Sequence, residues 1–174
     1  MKHLLLSFLF IFNFVLSQFQ MGDGIYGLAT DKMGRSVSLS SDGTRLAIGA
    51  TGNYQYNYNP EGRVVIYDWD GSSWEQVGDD IEGVTSGDQF GISVSISSDG
   101  NRIAIGAIGG SEYSDERGYV KFYDWDGSSW VQVGDDIEGE AANDNSGLSV
   151  SLSGDGTTVA IGAPHHDVSG WNAA

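Results

Sequence analysis

The chain has 174 residues, no cysteine, and a formal net charge of -16 from 24 acidic and 8 basic side chains. That length sets a single domain as the starting expectation. Nucleic-acid binding depends on Lys and Arg neutralising phosphates, so the charge argues against it. An acidic surface of this kind suits cation binding or solubility in salty surroundings. Without disulfides, a fold outside the cell must be held together by packing.

The first segment reads as a signal peptide over residues 1–17. Lys2 and His3 form a basic start, an apolar run covers residues 4–16, and Val15, Leu16 and Ser17 precede the expected cleavage point. The apolar run is too short to span a bilayer, which takes about 20 residues. The expected product is therefore secreted or displayed at the cell surface, with no membrane span, and starts near Gln18.

Beyond it the chain repeats itself. SVSLSSDGTRLAIGA at residues 36–50 returns as SVSISSDGNRIAIGA at 93–107 and as SVSLSGDGTTVAIGA at 149–163, spaced by 57 and then 56 residues. YDWDGSSWEQVGDDIEG at 67–83 returns at 123–139 with one change, Glu75 to Val131. A period of this size is one supersecondary unit per repeat.

Taken in order, residues 20–27 echo residues 76–83 and are expected to form an orphan outer strand within 18–33. The first full unit covers 34–83. Residues 36–40 alternate Ser with Val37 and Leu39, the period of a half-buried strand. Asp42-Gly43 supplies a tight hairpin. A second strand is expected over 45–50, with Leu46 and Ile48 on one face, and a third over 63–69, rich in β-branched and aromatic residues. Asp70-Gly71 turns the chain into a fourth strand over 74–81. Residues 84–139 repeat this plan, and 140–174 carry the first two strands of a third unit.

The pattern predicts an all-β fold, a partial β-propeller of about two and a half four-stranded antiparallel blades with a period of about 56 residues. A parallel β-helix is the rival, but its coils are shorter and need no Asp-Gly hairpins. Eleven strands do not close a ring that takes roughly 4 to 8 blades. Closure is expected to need missing C-terminal blades or self-association.

The motifs W-x-Q-V-G-x-D-I-x-G and F-G-x-S-V-S-x-S-x-D-G-x-R-x-A-I-G-A resemble FG-GAP repeats, the units of integrin α-chain β-propellers. Phe90-Gly91 supplies the FG, and Gly162-Ala163-Pro164 the GAP. Met33-Gly34 and Ser146-Gly147 replace FG elsewhere, and Ala50-Thr51 and Ala107-Ile108 lack the proline. WD-type repeats read similarly in their middle strands, but their period is nearer 40 to 45 residues. The resemblance implies a calcium loop of D-x-D-x-D-G type between the first two strands. Here each such turn carries a single acid, Asp42, Asp99 or Asp155, too few for a cation that takes 6 to 8 oxygens. No cofactor is expected, and calcium is left only a weak alternative at Asp68, Asp70, Asp124 and Asp126, spaced i and i+2 at strand ends.

Trp69, Trp74, Trp125 and Trp130 recur at fixed places, as packing between blades requires. Ser-rich first strands fit small side chains at a crowded axis. His165 and His166 read as loop, and no G-x-S-x-G elbow is present, so no enzyme assembles from these motifs. The segments that differ between units are 51–61 and 108–117, which a four-stranded unit places on one face with 84–89 and 140–146. Loops on a rigid scaffold are where binding residues concentrate. Tyr54, Tyr56, Tyr58 and Tyr113 are the candidate ligand contacts, in a composition suited to an extracellular protein or glycan. The expected function is a non-catalytic binding module. A structural adhesin or surface-layer segment, or the accessory propeller of a larger polysaccharide-degrading enzyme, are the alternatives.

Overall fold

A computed structural model describes residues 20–52, 61–109 and 117–166. The expected signal segment lies outside them. The described residues form strands and turns, with no helix and so none long and apolar enough to cross a membrane.

The first sheet holds β1 (Met33–Leu39), β2 (Arg45–Ala50), β3 (Arg63–Trp69), β4 (Trp74–Gln76) and β5 (Ile81–Glu82). Its order is β1-β2-β3-β4, all antiparallel, with β5 also paired to β3. The second sheet repeats the plan with β6 (Ser93–Ile96), β7 (Arg102–Ala107), β8 (Tyr119–Trp125), β9 (Trp130–Gln132) and β10 (Ile137–Glu138). A third, two-stranded sheet holds β11 (Ser149–Leu152) and β12 (Val159–Gly162).

The second and third strands fall where the residues place them, while the first and fourth differ. β1 begins at Met33 rather than at residue 36, because a bulge between Met33 and Ser36 carries pairing as far as Ala50. The fourth strand is broken into two pieces in both full sheets. Gly78 and Gly134 take positive φ, 72° and 70°, between the two pieces, and each piece returns separately to the third strand. The orphan outer strand is not formed: residues 20–32 contain no strand. The segment nevertheless occupies the equivalent position. Trp74 Nε1 donates to the Met21 carbonyl at 3.2 Å, as Trp130 Nε1 donates to the Val77 carbonyl at 3.2 Å.

At the hairpin end each turn is closed by its own aspartate. Asp42 accepts from the Thr44 amide at 3.0 Å and from the Ser40 hydroxyl at 2.7 Å. Asp70 accepts from the Ser72 and Ser73 amides at 2.7 and 2.8 Å. These hydrogen bonds favour the charged form and hold both carboxyls at a pKa of about 2.

The sheets stack back to front. Strand pairing puts Ser38, Ala47 and Ile66 on one face of the first sheet, and Val37 and Ile48 on the other. The back face, with Ala47, Val64 and Ile66, packs on the front of the second sheet, where Val94, Ile96, Ile103 and Ile105 complete the buried core. First strands sit against each other, β1 on β6 and β6 on β11. The serines do more than stay small at this crowded place. Ser36 Oγ donates to the Gly91 carbonyl at 2.8 Å, and Ser93 Oγ to the Gly147 carbonyl at 2.7 Å. The Ile96 amide donates to Ser38 Oγ at 3.1 Å, and the Leu152 amide to Ser95 Oγ at 2.9 Å.

Candidate functional site

Antiparallel pairing gives each full sheet two unlike ends. Leu39, Leu46 and Tyr67 meet at the hairpin end, and Met33, Ala50, Arg63 and Glu82 at the other. The connections that differ most in sequence between units leave from this second end.

A buried aspartate lies in the turn ahead of each first strand at this end: Asp31, Asp88 and Asp144, only 2%, 4% and 3% exposed. Each closes the same turn. The amides of Asp31, Asp88 and Asp144 donate to the carbonyls of Leu28, Thr85 and Ala141. In two of them the carboxylate accepts in return from the amide at the turn's start, Leu28 to Asp31 and Ala141 to Asp144, both at 2.9 Å. Their main chains also anchor the strand-two exits, since Gly52, Ile108 and His165 donate to the carbonyls of Asp31, Asp88 and Asp144. Left-handed non-glycine residues flank all three: Thr30 and Lys32, Gln89, and Asn143 and Asn145. Asn tolerates that conformation, but for β-branched Thr30, at φ 72°, it is a strained one.

What answers the buried charge differs from sheet to sheet. Asp31 is met by Arg63 at 2.8 Å, and Arg63 also bonds Asp80. Burial works against the Asp31 carboxylate, but the Met33 amide, Arg63 and the Leu28 amide outweigh it and hold its pKa below the usual value. In the second sheet Tyr119 stands where Arg63 does and donates to Asp88 at 3.1 Å. Burial, and then the Asp88 charge, push the Tyr119 phenol far above its usual range, so it is a permanent donor. In the third, His166 Nδ1 lies 3.0 Å from Asp144, and its Nε2 is 3.8 Å from Glu140. The His166 hydrogen bond and the Ala141 amide lower the Asp144 pKa. An open cleft of about 400 Å³ lies beside this pair, lined also by Glu138, Ile137 and Ile161.

No family model matches the chain, and no curated protein does. The solved structures similar to it include Kuenenia stuttgartiensis hydrazine synthase, at 13% identity and a TM-score of 0.48, over 83% of this chain. The chain spans 32% of that structure, and a likeness of this size bears on neither activity nor ligand.

Tyr54, Tyr56, Tyr58 and Tyr113 lie outside the described residues, on the two strand-two to strand-three connections of the variable end. The four aspartates named as a weak cation site have structural partners at the opposite end. Asp68 takes both oxygens to Arg45, at 2.6 and 2.7 Å, and Asp124 pairs with Arg102 at 2.7 and 2.7 Å. Asp70 and Asp126 close their turns. Among the described residues no group of three or more His, Cys, Asp or Glu could hold a metal. One Trp pair does bridge sheets: Trp125 and Trp130 lie 5.4 Å apart, with the Arg45 guanidinium of the first sheet 5.7 and 5.8 Å from their ring centres, whereas Trp69 and Trp74 meet Gly22 and Met21, which lie in no strand.

The buried aspartates at this end answer to none of the motifs singled out in the sequence. Their signal is nonetheless in the sequence, as Asp-x-x-Gly in every copy: Asp31 to Gly34, Asp88 to Gly91 and Asp144 to Gly147. His166, read as plain loop, partners one of them.

Proposed function

We propose that this chain is part of an FG-GAP-like β-propeller acting outside the cell as a non-catalytic binding module, with the connection end as its binding face. One observation carries the reading. The two full sheets are nearly identical at their Asp-Gly hairpin end and diverge at the other, above turns that are built alike. Identity at one end serves packing, and divergence above a fixed base is how a scaffold presents recognition loops. The polar groups gathered at the base are engaged with one another, which fits a rigid platform better than a reacting centre. The Tyr and Asn composition of residues 54–58 suits a glycan or a protein surface.

A glycan array probed with the purified chain tests this. The chain should retain a defined subset of glycans, and the triple variant Tyr54→Ser, Tyr56→Ser, Tyr58→Ser should lose them. Ser72→Ala at the hairpin end should not. Retention that survives the triple variant and fails in Ser72→Ala would place recognition at the wrong end and sink the reading.

A further inference from the structure

The back-to-front contact between sheets is made twice within the chain, and among the described residues the first and third sheets each leave one half of it open. On the first sheet the unused half is the front of β1. Val37 and Leu39 are 63% and 54% exposed, whereas their repeat equivalents Val94 and Ile96 are 8% and 7% exposed under the first sheet. On the third sheet the unused half is the back of β11 and β12. Ser149 and Ser151 are exposed there, whereas Ser93, repeat-equivalent to Ser149, is buried against the following sheet.

The glycines record the same thing. A Cβ on Gly49 would lie 2.0 Å from the Gly91 carbonyl oxygen, and one on Gly106 would lie 2.0 Å from that of Gly147. Gly162 has the same neighbouring serine, Ser149 Oγ at 2.3 Å, but no carbonyl opposite. Gly34 matches Gly91 and Gly147 in conformation, with φ of 88°, 86° and 87°. Nothing lies within 4 Å of the Cβ position on Gly34. The two open halves thus carry the same glycine and serine groups that meet in the internal contacts.

The segment at residues 20–27 already covers Trp69 and Trp74 of the first sheet's outer part, through Gly22 and Met21. What stays open on the first sheet is the inner part along β1.

We infer that a second copy of this chain docks head to tail, the back of its β11–β12 sheet on the front of β1. Register follows from the internal contacts. Ser149 Oγ of one copy donates to the Gly34 carbonyl of the next, and the next copy's Leu39 amide donates to Ser151 Oγ. Because the two surfaces differ, the contact is heterologous, and each copy offers one of each.

Sedimentation velocity on the full chain tests this at about 0.15 M salt, where a Debye length of about 8 Å screens the acidic surfaces from one another. The wild-type mass should rise with concentration. Leu39→Glu spoils only the front half and Ser151→Arg only the back half, so each alone should stay monomeric with an unchanged melt. Mixed, they should form a one-to-one dimer, since each keeps the half the other has lost. Three results each overturn the proposal: a wild type monomeric at every concentration, association that persists in the single variants, or single variants that fail to pair when mixed. Gly162→Ala, which meets only a side-chain oxygen within its own sheet, gives a second back-half variant should Ser151→Arg melt early.

Discussion

Removing the Arg45 side chain should cost about twice what removing Arg102 costs, although the two occupy the same place in the repeat. Each holds its aspartate through two short bonds, and those aspartates are 40% and 39% exposed, so solvent limits either pair to about 0.5–1 kcal/mol. Each also donates to a carbonyl of the following unit, Arg45 to Gly100 at 3.2 Å and Arg102 to Gly156 at 3.0 Å. A bond of this charged kind contributes about 1 kcal/mol when partly screened. Among the described residues only Arg45 lies over a tryptophan pair, which adds about 1 kcal/mol. Its side chain is 14% exposed against 35% for Arg102, so its stem loses more packing. The sums are about 3 kcal/mol for Arg45→Ala and about 1.5 kcal/mol for Arg102→Ala. In a domain of this size, a loss of 1 kcal/mol lowers Tm by about 3 °C, so the drops should be near 9 °C and 4 °C. Urea unfolding followed by tryptophan fluorescence measures both, with an unchanged slope confirming that stability alone has moved. Equal losses for the two variants would refute the claim that the arginine and tryptophan stack joins the sheets.

Gly49→Ala should destabilise by about 3 kcal/mol or more, because its new methyl meets backbone rather than a side chain that can turn aside. Gly162→Ala should cost under about 1 kcal/mol, and a thermal melt separates the two. Phe90 is fully buried in the core, so Phe90→Ala should lose about 4 kcal/mol in the same urea assay. Acid should unfold the protein through its hairpin turns. The folded pKa values of Asp42, Asp70, Asp126 and Asp155, about 2, lie below the unfolded value of 3.8. Their contribution is therefore full above pH 4 and lost as pH falls through about 2. Melts from pH 6 down to 2 should show Tm holding to the isoelectric region near 4.1 and falling below it, and a Tm that rises down to pH 2 would contradict this.

Much of the fold was legible because its signals are local. Alternation at residues 36–40 and the Asp-Gly pairs set strand directions, and the repeat supplied the rest by copying. The misses are cases where a side chain's partner lies one sheet away or across a pleat. Asp68 and Asp70 looked like a carboxylate pair at a strand end, yet Asp68 is directly opposite Arg45 in the β2–β3 register, and the opposite charge takes it. The serines of β1 and β6 read as small residues in the sequence, but their hydroxyl partners are backbone groups of the next sheet, about 55 residues on. Gly78 broke the fourth strand because a left-handed residue cannot continue a pleat, and hydrophobic spacing carries no mark of that. The burial of Asp31, Asp88 and Asp144 depends on turns folding over them, which residue type alone does not announce.

The sheets stack back to front through their first strands. Proton NMR on the isotope-labelled chain tests that directly, through cross-relaxation between the Ser38 β-protons and the Ile96 amide, and between those of Ser95 and the Leu152 amide. Both contacts should be strong, with the Ile96 and Leu152 amides slow to exchange. If both are missing while contacts within each sheet persist, the sheets do not stack in this way, and the variable end is no longer a single face.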